Sequence, residues 1–255
     1  AYVNSAKVRN QGVDASIDFG HKFNKDFSMT FKGTFTYAHN EILKYEEAIG
    51  DYPALSRIGY STSQQWGYIA DHLFADNKEV VNNPSQMLGG TVEAGDIKYI
   101  NQPNKYGKYD AVIDQNDRLP IGNPTTPEIV YGFGPSLQWK GFDFSFFFQG
   151  VAKTSLFMRN LQPFGKITEN KNVQTFIAND HWSPDNQNIF AAYPRLTIDP
   201  IANNSAQSTF WMRDGAFLKL KNAEIGYTYK NMRFYLRGSN LLTISKFDLW
   251  DPEQG

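Results

Sequence analysis

The chain has 255 residues and a formal net charge of −1, so it lacks the overall positive charge that is typical of nucleic-acid-binding domains. It contains no cysteine, which excludes a disulfide framework and a thiolate metal site. Aromatic residues make up 15% of the chain, yet they are scattered among many polar residues. The length allows one large all-β domain or two small ones.

The first regular feature is a pair of alternating segments. Apolar and polar residues alternate from residue 13 to 23, and again from 27 to about 43. Asn24-Lys25-Asp26 separates them, and period-two alternation across a short turn predicts a β-hairpin. The polar side of the second segment carries Lys32 and several hydroxyl residues. A dry protein interior would not accept those groups without partners.

A long stretch from about residue 44 to 127 shows no sustained alternation and is rich in Pro, Asn, Asp and Gly. A connection of that length inside a compact domain argues against a simple β-sandwich. Within it, residues 62–75 predict a short helix. Short extended segments are predicted at Val80-Val81 and at residues 97–100.

Residues 129–150 form the strongest pattern in the chain, a predicted hairpin that turns at Lys140-Gly141 and continues to about Met158. Its odd positions before the turn and its even positions after it are aromatic or aliphatic, and the positions between them are mostly polar or glycine. In a soluble sandwich this pattern means a core face and a solvent face. In a membrane barrel it means a lipid face and a lumen face.

A second irregular stretch covers about residues 159–212, and a third predicted hairpin follows, with its turn at residues 230–232. Its first strand alternates from Ala223 to Tyr229. Leu218 and Leu220 are out of phase with Ala223 and Ile225. We therefore expect a β-bulge near Asn222, or a strand that has already left the lipid.

The loop lengths favour a membrane barrel. Three predicted hairpins with short turns are joined by connections of about fifty to eighty residues, and short turns on one rim with long loops on the other are typical of outer-membrane barrels. Aromatic residues flank each short turn and predict a girdle at one membrane interface: Phe23 and Phe27, Trp139 and Phe142, Tyr229 and Phe234. Since about eight strands are needed to close such a barrel, we expect the chain to be part of a longer protein.

Three stretches resemble one family, the SusC/RagA type of TonB-dependent outer-membrane transporters of the Bacteroidetes. The first is residues 4–14, which resembles the entry to a late barrel strand. The second joins Gly95-Asp96-Ile97-Lys98-Tyr99 to residues 112–124. The third joins Gly238-Ser239-Asn240-Leu241-Leu242-Thr243 to residues 247–253, which include Asp251-Pro252-Glu253. Their order and spacing are similar to the last quarter of such a protein.

The resemblance implies an all-β, antiparallel transmembrane barrel of about 22 strands with a plugged lumen. Residues 1–255 would be the C-terminal portion, about six long strands in three hairpins, with extracellular loops at about 44–127 and 159–212. The plug, the TonB box and the final strand would lie outside the chain. The implied partners are a SusD-like surface lipoprotein, TonB, the remaining barrel and outer-membrane lipid.

The function implied by the resemblance is nutrient import across the outer membrane of a Gram-negative cell, driven through TonB by the proton gradient of the inner membrane. Oligosaccharides are preferred over oligopeptides as substrate because the family uses them more widely. Two alternatives stay open. A soluble, aromatic-rich β-sandwich that binds carbohydrate would bury the Phe face of residues 129–150 under a second sheet. A TonB-independent porin or adhesin barrel would lack an upstream plug.

One departure from the family concerns metal binding. Many relatives carry an acidic, EF-hand-like run before the segment that corresponds to Val112-Ile113-Asp114, and such a run is able to hold Ca²⁺. Here two Lys and a Pro interrupt it, and the remaining carboxylates are Asp110, Asp114 and Asp117. We expect a solvated turn with local Asx hydrogen bonds rather than a calcium site.

No enzyme is predicted. The four His residues lack ligand spacing, and the chain has no nucleophile elbow, P-loop or dinucleotide fingerprint. No cofactor is expected. Loop aromatics able to stack on a sugar or pack a peptide are candidate substrate contacts, with core packing or contact with the lipoprotein as the alternative: Tyr60, Trp66, Tyr68, Trp182 and Trp211. Candidate lumen-facing residues that could line the passage are Lys32, Asp143, Gln149, Arg233 and Arg237. Residues in such positions more often hydrate the wall or pair with the plug.

Overall fold

The computed structural model of the chain describes residues 5–158 and 172–254, so the predicted loop residues 159–171 and Asn4 of the first family-like stretch lie outside the described residues. The described strands, in chain order, are β1 (Lys7–Lys22), β2 (Phe27–Lys44), β3 (Gln65–Gly67), β4 (Ala70–Leu73), β5 (Ser85–Gln86), β6 (Ile97–Tyr99), β7 (Val112–Ile113), β8 (Leu119–Ile121), β9 (Ile129–Trp139), β10 (Phe142–Ala152), β11 (Ser155–Phe157), β12 (Met212–Asp214), β13 (Phe217–Tyr229) and β14 (Met232–Ser245).

In the described part of the chain, the helices are short. The α-helices are α1 (Asn77–Asn82), α2 (Thr175–Asn179) and α3 (Ala202–Ser205), and 3-10 turns occupy Pro53–Leu55, Gln115–Asp117 and Pro252–Gln254. Among the described residues, no helix has the length and apolar character needed to cross a membrane.

The six long strands form one antiparallel sheet in the order β1-β2-β9-β10-β13-β14. This confirms the three predicted hairpins. Two of their turns contain only two residues, Lys140-Gly141 and Lys230-Asn231. Lys140 and Lys230 have φ values of 50° and 52°, the left-handed conformation that lets a two-residue turn follow the twist of its strands.

The register of the sheet places the apolar positions of all six strands on one face, which we call the apolar face. Representative cross-strand neighbours are Phe19 with Phe31, Phe35 with Tyr131, Phe133 with Phe148, Phe146 with Ala223, and Ile225 with Leu236. This alignment follows from period-two alternation because successive side chains of a strand point to opposite faces.

Within residues 5–158 and 172–254, no second layer covers the apolar face. Phe133, Phe146 and Leu236 expose 37%, 39% and 74% of their surface. The four other sheets in the described part of the chain have two strands each and belong to the long connections. The soluble sandwich required a second sheet over residues 129–150, and the exposed Phe side chains contradict that arrangement.

Next to the short turns, the register also aligns aromatic residues in a continuous row across five strands: Phe27, Trp139, Phe142, Tyr227 and Phe234. The ring centroids of Phe142 and Tyr227 are 4.6 Å apart. The predicted row included Tyr229 in place of Tyr227. Tyr229 lies two cross-strand pairs closer to its turn, opposite Met232.

The predicted bulge in β13 is confirmed. Phe147 pairs with Asn222 and Phe148 pairs with Leu220, so Lys221 is an extra residue relative to β10. An extra residue shifts the strand by one position and exchanges its two faces. The bulge therefore returns Leu220 to the face that carries Ala223, and it turns Lys219 and Lys221 toward the polar face.

The long connections are folded. Residues 45–128 and the described part of 153–216 pack together as one body, which we call the loop unit. Its hydrophobic core includes Leu73, Ile97, Tyr99, Ile113 and Ile177, each at most 1% exposed. Backbone hydrogen bonds join the two connections: the N–H of Tyr68 donates to the carbonyl of Gln207 over 2.9 Å, and that of Leu73 donates to Ile189 over 2.8 Å.

The helix predicted at residues 62–75 is wrong, because this segment contains β3 and β4, which pair with β8 and β6. Val80-Val81 was predicted to be extended but lies in α1, whereas the extended piece predicted at 97–100 is confirmed as β6. Short apolar runs do not distinguish strand from helix by period alone. Here the hydrogen-bond partners, which lie far away in sequence, determine the conformation.

An ion pair at the centre of the loop unit links the two connections. Asp96 is fully buried, and its carboxylate accepts hydrogen bonds from Arg195 Nε over 2.7 Å and Asn204 Nδ2 over 2.8 Å. The backbone N–H of Glu93 donates to the same carboxylate over 2.8 Å. A buried charge with this many donors is compensated, so the pair orients the loops without leaving an unsatisfied charge.

Candidate functional site

The candidate site is a cleft of about 670 Å³ between the polar face of the sheet and the loop unit. Gln149, Val151 and Phe217 supply the sheet wall at the ends of β10 and β13 that adjoin the loops. The remaining lining comes from the loop unit and the C-terminal segment: Gln65, Thr125, Pro127, Thr154, Ser155, Leu156, Phe157, Gly215, Pro252 and Glu253. Amide and hydroxyl groups therefore alternate with apolar patches around it.

One wall of the cleft is the segment 246–254, which the bulge of β13 holds in place. Lys219 is fully buried, and its ammonium lies 2.5 Å from Asp251 Oδ1 and 2.7 Å from Glu253 Oε2. Lys221 Nζ lies 2.6 Å from Glu253 Oε1. Both lysines reach these carboxylates only because the extra residue in β13 turns them toward the polar face.

The two lysines set the charge state of this wall. Lys219 holds the pKa of Asp251 below its usual range, and Lys219 and Lys221 together do the same for Glu253. Both carboxylates are therefore ionised at neutral pH, and the cleft contains a compensated group of charges rather than a free one.

The five predicted lumen-facing residues all lie on the polar face. Lys32 pairs with Asp18 at 3.3 Å, Arg233 Nε donates to Asp143 over 3.1 Å, and Arg237 donates to Asn222 over 3.1 Å. Gln149 lines the cleft. That this face borders a transport lumen stays a prediction, and most of these groups are paired with their neighbours on the wall.

The predicted substrate-contact aromatics are mostly core residues of the loop unit. Trp66, Tyr68, Trp182 and Trp211 are between 6% and 9% exposed, whereas Tyr60 is 38% exposed. Trp211 Nε1 donates to the carbonyl of Asn204 over 2.7 Å, and Trp66 Nε1 donates to that of Ala54 over 3.0 Å. Substrate contact stays a prediction for the five, and the four buried side chains expose little surface for it.

Other exposed or cleft-lining residues were not predicted from the sequence. Tyr106, Tyr109 and Phe190 are loop aromatics with strongly exposed side chains, at 67%, 67% and 74%. Gln65, Ser155 and Glu253 of the cleft were not predicted either. Only Glu253 stood in a stretch with a recognisable signal, the Asp-Pro-Glu sequence of the family resemblance.

The carboxylates of the degenerate calcium-like loop serve local hydrogen bonds. Asp110 and Asp114 accept from the backbone N–H groups of Val112 and Asn116, as expected for Asx turns. Asp117 departs from the expected solvated turn: it is 2% exposed, accepts from the N–H of Gln102 and of Asp114, and has a pKa raised by burial. No group of three or more His, Asp or Glu able to hold a metal occurs among the described residues.

Known proteins similar to the chain are TonB-dependent receptors. The chain is 30% identical over 158 residues to the TonB-dependent receptor P26 of Formosa agariphila, and the match covers 56% of the chain and 15% of that protein. It is 24% identical over 289 residues to the TonB-dependent receptor SusC of Bacteroides thetaiotaomicron, covering 98% of the chain and 24% of that protein. No protein-family model matches the chain.

Among solved structures, the RagAB peptide transporter matches 99% of the chain and 27% of its own chain, with a TM-score of 0.66 and 22% identity. The RagAB peptide importer in its closed-closed state matches with a TM-score of 0.64 and 23% identity. These comparisons confirm the resemblance to SusC/RagA-type transporters and the antiparallel fold class. The chain spans about a quarter or less of the relatives described here.

Proposed function

We propose that the chain forms part of the wall and the extracellular loops of a TonB-dependent importer in the outer membrane. We further propose that this importer takes up an oligosaccharide rather than an oligopeptide. The observation that carries this proposal is the sheet with one continuous exposed apolar face and one polar face. The loop unit and its cleft lie at the end of that sheet opposite the short turns.

A membrane position for the sheet is supported by the chemistry of the apolar face. Side chains such as Ile17, Phe146 and Leu236 expose 58%, 39% and 74% of their surface. A continuous apolar surface of six strands is far larger than soluble monomers expose, and acyl chains are the partner that makes it favourable.

A role in transport without covalent chemistry is supported by the paired state of the charged groups and by the relatives, whose names describe receptors and transporters. TonB dependence, rather than a TonB-independent porin, is supported by the names of the two TonB-dependent receptors. A SusD-like lipoprotein is the proposed partner at the loop end, where Tyr106, Tyr109 and Phe190 are exposed.

Substrate preference is proposed from the cleft. Gln65, Gln149, Thr125, Thr154 and Ser155 are uncharged groups that both donate and accept hydrogen bonds, as a hydroxyl-rich ligand requires. RagAB is named a peptide importer, so an oligopeptide is the competing ligand.

The proposal is tested with Gln149→Trp, which narrows the cleft, against Gln138→Trp on the same face at the short-turn end. In the full-length protein we expect Gln149→Trp to reduce uptake and binding of oligosaccharides at least tenfold and Gln138→Trp to leave both within twofold. Binding of oligopeptides but not oligosaccharides would refute the substrate preference. Purification of the full-length protein from the soluble fraction without detergent would refute the importer itself.

A further inference from the structure

The short-turn end of the sheet is positively charged. We call the residues of its three turns, 22–27, 139–142 and 229–232, the short-turn rim. They include four lysines, Lys22, Lys25, Lys140 and Lys230, and one acidic residue, Asp26, although the whole chain has a net charge of −1. All five side chains are exposed. The rim is therefore a local concentration of cations on a chain that is otherwise slightly acidic.

The rim lysines differ from the lysines of the polar face. Lys32, Lys219 and Lys221 are paired with carboxylates at 3.3, 2.7 and 2.6 Å. Within residues 5–158 and 172–254, by contrast, the four rim lysines take part in none of the ion pairs. Their charge is thus available to an anion from outside the chain.

Two of the rim lysines lie against aromatic rings, Lys140 against Trp139 of the aromatic row and Lys230 against Tyr229 beside its turn. Lys140 Nζ is 5.6 Å from the ring centroid of Trp139, and Lys230 Nζ is 5.3 Å from that of Tyr229. Trp139 and Tyr229 expose half of their surface, 51% and 50%. Each ammonium therefore stands at the border between exposed aromatic carbon and water, where long cationic side chains extend along apolar surface toward polar groups.

A groove of about 550 Å³ joins the first two turns. Lys22, Lys25 and Lys140 line it together with Trp139 and Phe142. Its carboxylates are Asp26 and Asp143, and Asp143 is already hydrogen-bonded by Arg233. The groove thus combines three cations, aromatic surface and one uncompensated acid.

We propose that the short-turn rim binds the phosphate headgroups of anionic phospholipids. A ligand that contacts both the lysines of the rim and the neighbouring aromatic row must be amphiphilic. Its anionic head would lie at the lysines, and its apolar tail would lie along the exposed side chains of Phe142 and Phe234. A basic group near an anionic membrane surface strengthens binding by a factor of about five per lysine. The inference rests on the membrane position assigned under the proposed function.

The test uses the triple variant Lys25→Gln/Lys140→Gln/Lys230→Gln in the full-length protein. The matched control is Lys44→Gln/Lys78→Gln/Lys108→Gln, which removes three exposed lysines away from the rim. Both are placed in nanodiscs of phosphatidylcholine with phosphatidylglycerol, extracted in mild detergent and analysed by native mass spectrometry for retained lipid.

We expect the wild-type protein and the control to retain phosphatidylglycerol in preference to phosphatidylcholine. In the triple variant, the ratio of retained phosphatidylglycerol to phosphatidylcholine should fall at least tenfold. Soluble glycerol phosphate should not displace the lipid. Equal preference in the two variants, or displacement by glycerol phosphate, would overturn the lipid site. A wild-type protein that does not enter nanodiscs at all would instead refute the proposed membrane function, so the two failures are distinguishable.

Discussion

At the scale of single residues, Glu79 makes the loop unit sensitive to acid. Burial opposes its charge, but hydrogen bonds from Lys98 Nζ at 2.8 Å, the N–H of Ala75 at 2.9 Å and His72 at 2.8 Å outweigh burial and lower the pKa of Glu79 from 4.5 to about 2. Since the folded pKa lies below the unfolded one, its contribution to stability is complete above about pH 4.5 and is lost as the pH falls toward 2.

We therefore predict that amide-exchange protection of residues 72–99 falls between pH 4.5 and 2 in the full-length protein. Glu79→Gln should reduce this protection at pH 7, by about 1–3 kcal/mol, and should flatten its pH dependence. A Glu79→Gln variant with the same acid profile as wild type would show that another group controls the transition.

Gly95 is required by its contact with Trp182. It has a φ of +84°, and a Cβ added there would lie 2.2 Å from Cε3 of the indole. Gly107 also has a positive φ, +72°, but its Cβ would meet no atom within 4 Å. Substitution would therefore strain the backbone at both glycines, but only at Gly95 would the added Cβ also collide with a neighbouring side chain.

We predict that Gly107→Ala costs about 1 kcal/mol of stability and that Gly95→Ala costs at least about 2 kcal/mol more, because only the second forces the buried Trp182 to move. Thermal unfolding of the full-length variants measures the difference. Equal losses would mean that the loop unit adjusts to the extra methyl group freely.

At the scale of elements, the bulge of β13 supports the cleft through Lys219. Lys219→Met removes the cation between Asp251 and Glu253, and we predict that residues 247–254 exchange their amides at least tenfold faster. Lys246→Met is the matched control, since Lys246 is 85% exposed in its side chain and pairs with Asp214 at 3.4 Å. Unchanged exchange in Lys219→Met would show that Phe247 and its apolar neighbours hold the segment alone.

Two neighbouring positions of β10 separate the faces of the sheet. Phe146→Arg puts a charge on the apolar face, and we predict a loss of about 2–4 kcal/mol, the cost of a basic residue near the bilayer midplane. Ser145→Arg puts the same charge on the polar face opposite Glu224 and should be tolerated. Equilibrium unfolding of the full-length variants from liposomes measures both, and similar costs would argue against lipid on the apolar face.

The strands of the wall could be predicted because their information is local. Alternation located all six strands, and the phase change between Leu220 and Ala223 located the bulge. The loop unit could not be predicted in this way, because its contacts join distant segments: Tyr99 donates a hydrogen bond to the carbonyl of Asn203, 104 positions away. For the same reason, Trp182 and Trp211 gave no sign in the sequence of being core residues rather than surface ones.

At the scale of the whole molecule, β1 and β14 are the two edges of the sheet, and neither pairs with a further strand among the described residues. Unpaired strand edges are unfavourable in hydrocarbon because their backbone groups lack hydrogen-bond partners. The SusC and RagAB relatives are about four times as long as the stretch they share with this chain. We propose that further strands of the full-length protein pair with both edges, so that the apolar face continues around a closed barrel.

The central claim is that the apolar face contacts lipid, and spin labels on single cysteines test it most directly, since this chain contributes no cysteine of its own. In the reconstituted full-length protein, labels at Ile17, Phe146 and Ile225 should collide with oxygen dissolved in the bilayer, and labels at Asp18, Ser145 and Glu224 should not. This alternation along β1, β10 and β13 is the predicted result. Labels on the apolar face that are shielded from oxygen, or that collide with a water-soluble nickel chelate instead, would contradict it.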